Sequence, residues 1–227
     1  YLSLYDEIAR LPQGRFRKRF WMGQANLDAA ADPKGREVIR RARDAGLLYV
    51  AVGMESIDPA VLAASGALRK QGGGDASEVL ERMKKNIRFI QDEGIVISGW
   101  FVVGYPGDTA ETYQRTLDFC LEMNILPVIF PVSAMPGTPL WDKLEATGGL
   151  TRGSRFTNVR HAMIQDEDIA RGMAEALRRG YSLPAKLRRT LFHAGRFRTD
   201  RIHKTIFTAV LQDKIKAGIN VVGKGFY

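Results

Sequence analysis

Residues 95–103, IVISGWFVV, form the most strongly apolar stretch of this sequence and run straight into GYPGDT at 104–109. Branched and aromatic side chains without strict alternation describe a strand buried on both faces, the habit of a parallel sheet. Gly104, Pro106 and Gly107 end that strand, and a helical pattern follows at 110–123. Strand, turn and helix in succession are the elements of a βαβ unit, so this stretch selects the α/β class.

The flanking sequence repeats the alternation. Upstream, residues 2–11 read as a short amphipathic helix ended by Pro12 and Gly14, and residues 19–26 as a strand. Asp32 and Pro33 open a helix as N-cap and first-turn proline, and Gly46 closes it. Residues 47–52 (LLYVAV) form a strand that leads into Gly53-Met54-Glu55-Ser56, and Asp58-Pro59 opens another short helix. A loop holds Gly72-Gly73-Gly74. The next helix starts at Ser77, with Val79, Met83, Ile87 and Ile90 on one face, and stops at Gly94. Downstream, residues 126–132 supply a fourth strand and 140–146 a further helix. Four strands spaced in this way suit part of a (β/α)₈ barrel or a small doubly wound sheet.

Beyond Leu150 the pattern changes. Residues 156–164 read as a strand or extended segment, followed by helices at 166–181, from Pro184, and at 200–216, with a frayed end. Residues 1–150 and 151–227 are therefore expected to be two units. Charge divides at the same place. Residues 151–227 hold 16 Lys and Arg against 6 Asp and Glu, leaving 18 against 19 for the first 150. The whole basic excess of the chain lies in the tail, which suits an anionic membrane surface, an acidic partner or nucleic acid, or simply a solvated helical face.

A single cysteine, Cys120, excludes a disulfide framework and any multi-cysteine metal site built from this sequence alone, and fits a reducing cytoplasm. Its place between Phe119 and Leu121 describes a buried thiol. His161, His193 and His203 share no ligand spacing. Gly72-Gly73-Gly74 is followed by no GK[ST], and no GxSxG occurs. No apolar run reaches the length of a membrane span. The start at Tyr1, inside a helical pattern, is what a chain cut from a longer one shows.

In parallel α/β folds ligands gather at the carboxyl ends of strands. Those ends carry Gln24 and Asn26, Gly53 with Glu55 and Ser56, Gly104-Tyr105-Pro106-Gly107, and Ser133 with Met135-Pro136-Gly137. Carboxylates and amides there suit ribose hydroxyls, and bare backbone suits a base edge. The same glycines also serve tight turns, and Glu55 could cap the helix that follows.

These segments together carry a family likeness. WMGQANLD (21–28), VAVGMESIDPAVL (50–62), GIVISGWFVVGYPGDTAETYQRTLDFCLEMNI (94–125) and PVSAMPGTPLWDKLEATGGL (131–150) resemble radical S-adenosylmethionine (SAM) proteins in that order and spacing. They look most like the class with an N-terminal cobalamin-binding domain, and residues 157–189 resemble the helical extension after its barrel. The resemblance covers about residues 15–190.

The resemblance implies the C-terminal half of a partial (β/α)₆ barrel, akin to a TIM barrel, over residues 1–150, with a basic helical extension over 151–227. It implies that Gln24 and Asn26 face the SAM ribose and that Glu55 and Ser56 lie beside SAM. Phe101, Val102, Val103 and Gly104 would offer backbone to the adenine, and Arg69 or Lys70 would pair with the SAM carboxylate. It implies a [4Fe–4S] cluster held by CxxxCxxC, a motif this sequence lacks, and cobalamin in the parent protein. The parent would cleave SAM reductively for radical methylation or a related modification. This chain alone would be inactive, with the upstream half of the barrel as its partner and a small-molecule or lipid-like substrate. Two rival readings are a non-catalytic scaffold of the same fold and nucleic-acid binding through the basic tail. The second is disfavoured, because no nucleic-acid motif accompanies the charge.

Overall fold

The computed structural model describes residues 2–10, 20–68, 78–198 and 200–225. In chain order the elements are α1 (Leu2–Arg10), β1 (Trp21–Asn26), a 3-10 turn (Leu27–Ala30), α2 (Pro33–Asp44), β2 (Leu47–Glu55), α3 (Pro59–Ala64), α4 (Val79–Asp92) and β3 (Val96–Val103). They continue with α5 (Ala110–Glu122), β4 (Leu126–Pro131), α6 (Pro139–Ala146), α7 (Asp166–Gly180), α8 (Leu183–Ala194) and α9 (Arg201–Gly225).

The four strands form one parallel sheet in the order β1-β2-β3-β4. That order contains no reversal, whereas a doubly wound sheet turns back at a switch point. The α/β expectation holds.

Alternation along the strands sorts the two faces of the sheet. Val50, Val52 and Met54 of β2 and Ile97, Phe101 and Val103 of β3 join one core with Met83 and Ile87 of α4, Leu117 and Cys120 of α5, and Ile169 and Ala176 of α7. The other face is closed only toward the starts of the strands. There Tyr49, Val96, Leu126 and Val128 meet Tyr181, Phe197 and the α9 residues Leu211 and Ile219. Toward the strand ends this face stays open: Trp100 is 42% exposed.

The local signals act as the sequence suggests. Asp32 accepts hydrogen bonds from the amides of Lys34 and Gly35, and Asp58 from those of Ala60 and Val61. Gly46 and Gly94 take positive φ at helix ends. Ser77 lies outside the described residues. α4 is described from Val79, and its N-cap Glu78 makes no side-chain cap hydrogen bond. β2 runs to Glu55, three residues beyond the apolar run, because its last residues still pair with β3.

Residues 156–164 make no strand of their own. A single antiparallel bridge joins Leu150 to Val159, and the Asn158 amide clamps both backbone groups of Ala134 at 2.8 and 2.7 Å. α9 runs well past residue 216, to Gly225. Among the described residues no helix is long and apolar enough to cross a membrane.

Candidate cofactor-binding site

The open part of the sheet face is a cavity of about 510 Å³, lined from β1 by Gln24 and Asn26, from β2 by Ala51, Gly53 and Glu55, from β3 by Trp100, Phe101 and Val102, and from β4 by Phe130. That volume lies within the ~300–1,000 Å³ of small-molecule sites. Every lining position except Ala25, Glu55 and Phe101 follows from strand parity: Gln24, Asn26, Ala51, Gly53, Trp100, Val102 and Phe130 stand on one face.

Two local irregularities set Glu55. The register between β2 and β3 shifts between Gly53 and Glu55, so Gly53 pairs with Trp100 and Glu55 with Phe101. Glu55 itself has φ of 62°, a conformation in which a side chain other than glycine is strained. The bulge turns the carboxylate back along the strand, and a Cβ on Gly53 would stand 3.2 Å from Glu55 Oε1. Gly53 thus leaves the room that the Glu55 carboxylate uses.

Trp100 and Phe130 give the cavity an aromatic wall, with ring centroids 5.9 Å apart at 57°. Trp100 Nε1 donates to Ser98 Oγ at 3.0 Å, and Ser98 Oγ also bonds the Tyr49 hydroxyl. This polar chain ties the aromatic wall to the apolar plug beneath. Burial pushes the Tyr49 phenol above its ordinary range, against the opposing effect of those hydrogen bonds, so it stays protonated.

Of the residues singled out from the sequence, Gln24, Asn26, Glu55, Phe101 and Val102 are brought together here. Ser56 is buried outside the lining, where its Oγ accepts from the Asp58 amide at 3.0 Å. Val103 is in the core. Arg69 and Lys70 lie outside the described residues.

Gly104 lines a neighbouring cavity of about 500 Å³ with Tyr105, Asp108 and His161. Asp108 Oδ2 accepts from the amides of Gly104 and Tyr105 at 2.9 and 3.0 Å, which folds the GYPGDT loop. Burial raises the Asp108 carboxyl, and the two amides act against it. His161 Nδ1 lies 3.0 Å from the Gly104 carbonyl oxygen, and burial lowers its imidazole. Trp100, Phe130, Ala51 and His161 were not named from the sequence as site residues. The first three were within reach of strand parity, but nothing local marks His161.

The donor sets discriminate between possible cofactors. Glu55 is the one charged side chain that lines the sheet-face cavity among the described residues. A carboxylate, two amides, aromatic faces and a glycine opening suit a cationic ligand with a nucleoside, as SAM is. An iron–sulfur cluster does not fit. Among the described residues no three His, Cys, Asp or Glu are grouped to hold a metal ion. Cys120 is buried in α5, with its thiol pushed well up by burial.

No known family model matches the chain. A hopanoid C-2 methylase of Rhodopseudomonas palustris is 27% identical over 199 residues, covering 86% of this chain and 35% of that protein. A bacteriochlorophyllide d C-12(1)-methyltransferase of Chlorobaculum tepidum is 26% identical over 126 residues, covering 55% of this chain and 25% of that one. The chain thus spans about a third or less of the length of these curated relatives. Among solved structures, the radical SAM methyltransferase TsrM of Kitasatospora setae, with cobalamin and a [4Fe–4S] cluster bound, superposes with TM-score 0.50 at 18% identity. That match covers 97% of this chain and 49% of TsrM. The chain is thus similar in sequence to a methylase and a methyltransferase, and similar in fold to a radical SAM methyltransferase that carries cobalamin.

Proposed function

We propose that this chain is the SAM-binding arc of a radical SAM methyltransferase, its four strands forming part of a (β/α)₆ barrel. The observation that carries the reading is the cavity whose only charged lining side chain among the described residues is Glu55, facing an aromatic wall. A sulfonium is attracted both to a carboxylate and to aromatic faces. Gln24 and Asn26, at the end of β1, are placed to hydrogen-bond ribose hydroxyls, and the edge of β3 at Phe101 and Val102 offers peptide groups to a base. The apolar plug under Tyr49 and Ser98 closes the cavity from below and excludes water from that side.

In this reading a [4Fe–4S] cluster would supply the electron that splits SAM. These 227 residues contain one cysteine, so in this reading the cluster thiolates come from another segment or another chain. The chain's own residues bind and orient SAM and do not reduce it. Residues 1–150 form the arc and residues 151–227 the basic extension packed against it. The methyl acceptor is a small molecule or lipid-like, and cobalamin belongs to the larger assembly.

Isothermal titration of SAM into the chain tests the reading. Binding is expected, with Glu55→Gln and Trp100→Ala each weakening it by about tenfold or more, the effect of removing one charged or stacking contact. Absence of SAM binding, or affinity in both variants unchanged from the parent chain, overturns it.

A further inference from the structure

We propose that the α8–α9 hairpin is a docking surface for an anionic lipid bilayer. α8 presents Leu183, Leu187 and Leu191, which are 66%, 53% and 70% exposed, and α9 presents Ile202, Ile206 and Val210, which are 73%, 59% and 51% exposed. Spaced four apart, each set forms a stripe along one side of its helix. The buried residues stand on the opposite sides: Arg189 and His193 on α8, Leu211 and Ile219 on α9. The helices are held side by side by Arg189 Nε donating to Gln212 Oε1 at 3.0 Å and by Lys186 with Asp213 at 2.6 Å. The two stripes therefore lie next to each other on the outer side of the hairpin. α9 is apolar on two opposite faces, and the fold uses only one of them. An ordinary solvated helix face carries charge where these six residues stand.

Charge selects the occupant. The unit that contains the hairpin carries 16 basic against 6 acidic residues. Lys214 continues the α9 stripe at the next four-residue step, and Arg188 flanks Leu187 and Leu191. Both are exposed, and neither makes an ion pair among the described residues. The acidic residues of the hairpin are engaged locally: Asp213 with Lys186, and Asp200 with His203 at 2.6 Å. An apolar strip bordered by unneutralised Lys and Arg is the pattern of a helix lying in a membrane interface, with apolar side chains at the acyl boundary and cations at the headgroups. A second copy of the chain would bring the same positive field against itself, which disfavours self-association through this face. The proposal stands independently of SAM binding.

Co-sedimentation of the 227-residue chain with vesicles tests it. Vesicles of mixed phosphatidylglycerol and phosphatidylcholine are expected to retain the protein, and pure phosphatidylcholine vesicles about tenfold less, as anionic headgroups dominate such binding. Leu187→Glu and Ile206→Glu are each expected to weaken retention by about tenfold or more, since a carboxylate is poorly tolerated in the interface. Both positions are exposed, so the variants should keep the parent melting temperature. Should either variant unfold, Ile206→Cys carrying a polarity-sensitive fluorophore gives the same answer, with a blue shift on anionic vesicles in support and none against. No retention, retention unchanged by the glutamates, or a solution dimer that Ile206→Glu dissociates overturns the proposal. The last outcome assigns the face to a second copy.

Discussion

The Arg189 guanidinium on α8 donates from Nη1 to the carbonyl oxygen of Ile125, 3.0 Å away, at the entry to β4. Its Nη2 donates to the Gly180 carbonyl at the end of α7, and its Nε to Gln212 of α9. One buried cation therefore joins the sheet to three helices of the tail. Burial pulls its pKa down and the neighbouring Tyr181 and Cys120 oppose this, yet a guanidinium remains charged at any working pH.

Replacing Arg189 by Met leaves the Ile125 and Gly180 carbonyls without this donor in a dry environment. Unsatisfied buried groups of this kind cost about 1–3 kcal/mol each, so a loss of about 3 kcal/mol is expected. Urea denaturation of the two proteins measures it. An unchanged midpoint would show that the tail packs without the cation.

Acid should destabilise the fold through His193. It is fully buried between Phe192 and Phe197, and burial pushes its pKa from 6.5 to about 3. The folded pKa is depressed, so below pH 6.5 the unfolded chain takes up a proton that the native state refuses. Stability is complete above about pH 6.5 and declines until the pH nears 3, by an amount on the order of 5 kcal/mol. His193→Leu is expected to flatten that slope in melting experiments between pH 8 and 4.

Gly104→Ala should strain the loop after β3. Gly104 has φ of 122°, and a Cβ there would stand 2.4 Å from His161 Cε1. The backbone penalty and the clash together are expected to cost about 2 kcal/mol or more. His161→Ala should return only the part of the clash that the imidazole causes, leaving the backbone penalty and the contact with Val132 Cγ1 at 2.9 Å, so a double-mutant cycle by chemical denaturation isolates the imidazole's share.

Glu55→Gly should raise stability while removing function. Its φ of 62° suits glycine, so the substitution relieves about 1 kcal/mol of backbone strain. SAM affinity should fall at least as far as in Glu55→Gln. A variant that is both more stable and unable to bind would mark Glu55 as a residue kept for ligand contact at the expense of the fold.

Much of the fold was legible because its signals are local. Asp32, Asp58, Gly46 and Gly94 punctuate helices through their own backbone and nearest amides, and they act in the structure as they read in the sequence. The first half of IVISGWFVV is buried as its composition suggests, but Trp100 is 42% exposed and Val102 half-buried on the open face, so the strand is not buried on both faces throughout. Strand-end placement brought Gln24, Asn26 and Glu55 to one cavity. The end of β2 was less legible, since residues 53–55 lack an apolar pattern and are strand only by pairing with β3. Residues 156–164 read as extended, yet what holds them is the Asn158 clamp on Ala134, 24 positions away.

By itself, then, the sequence determined the α/β class, the helix limits set by caps, the basic tail, and the polar strand ends that line one cavity, since each depends on residues within a turn or two. Only the tertiary structure decided the consecutive strand order, the use of α9 to close the starts of the strands, and the seating of Arg189 among four elements. It also decided the meeting of Trp100 with Phe130 opposite Glu55. These depend on which surfaces exclude water from one another across the chain, and no local pattern encodes that.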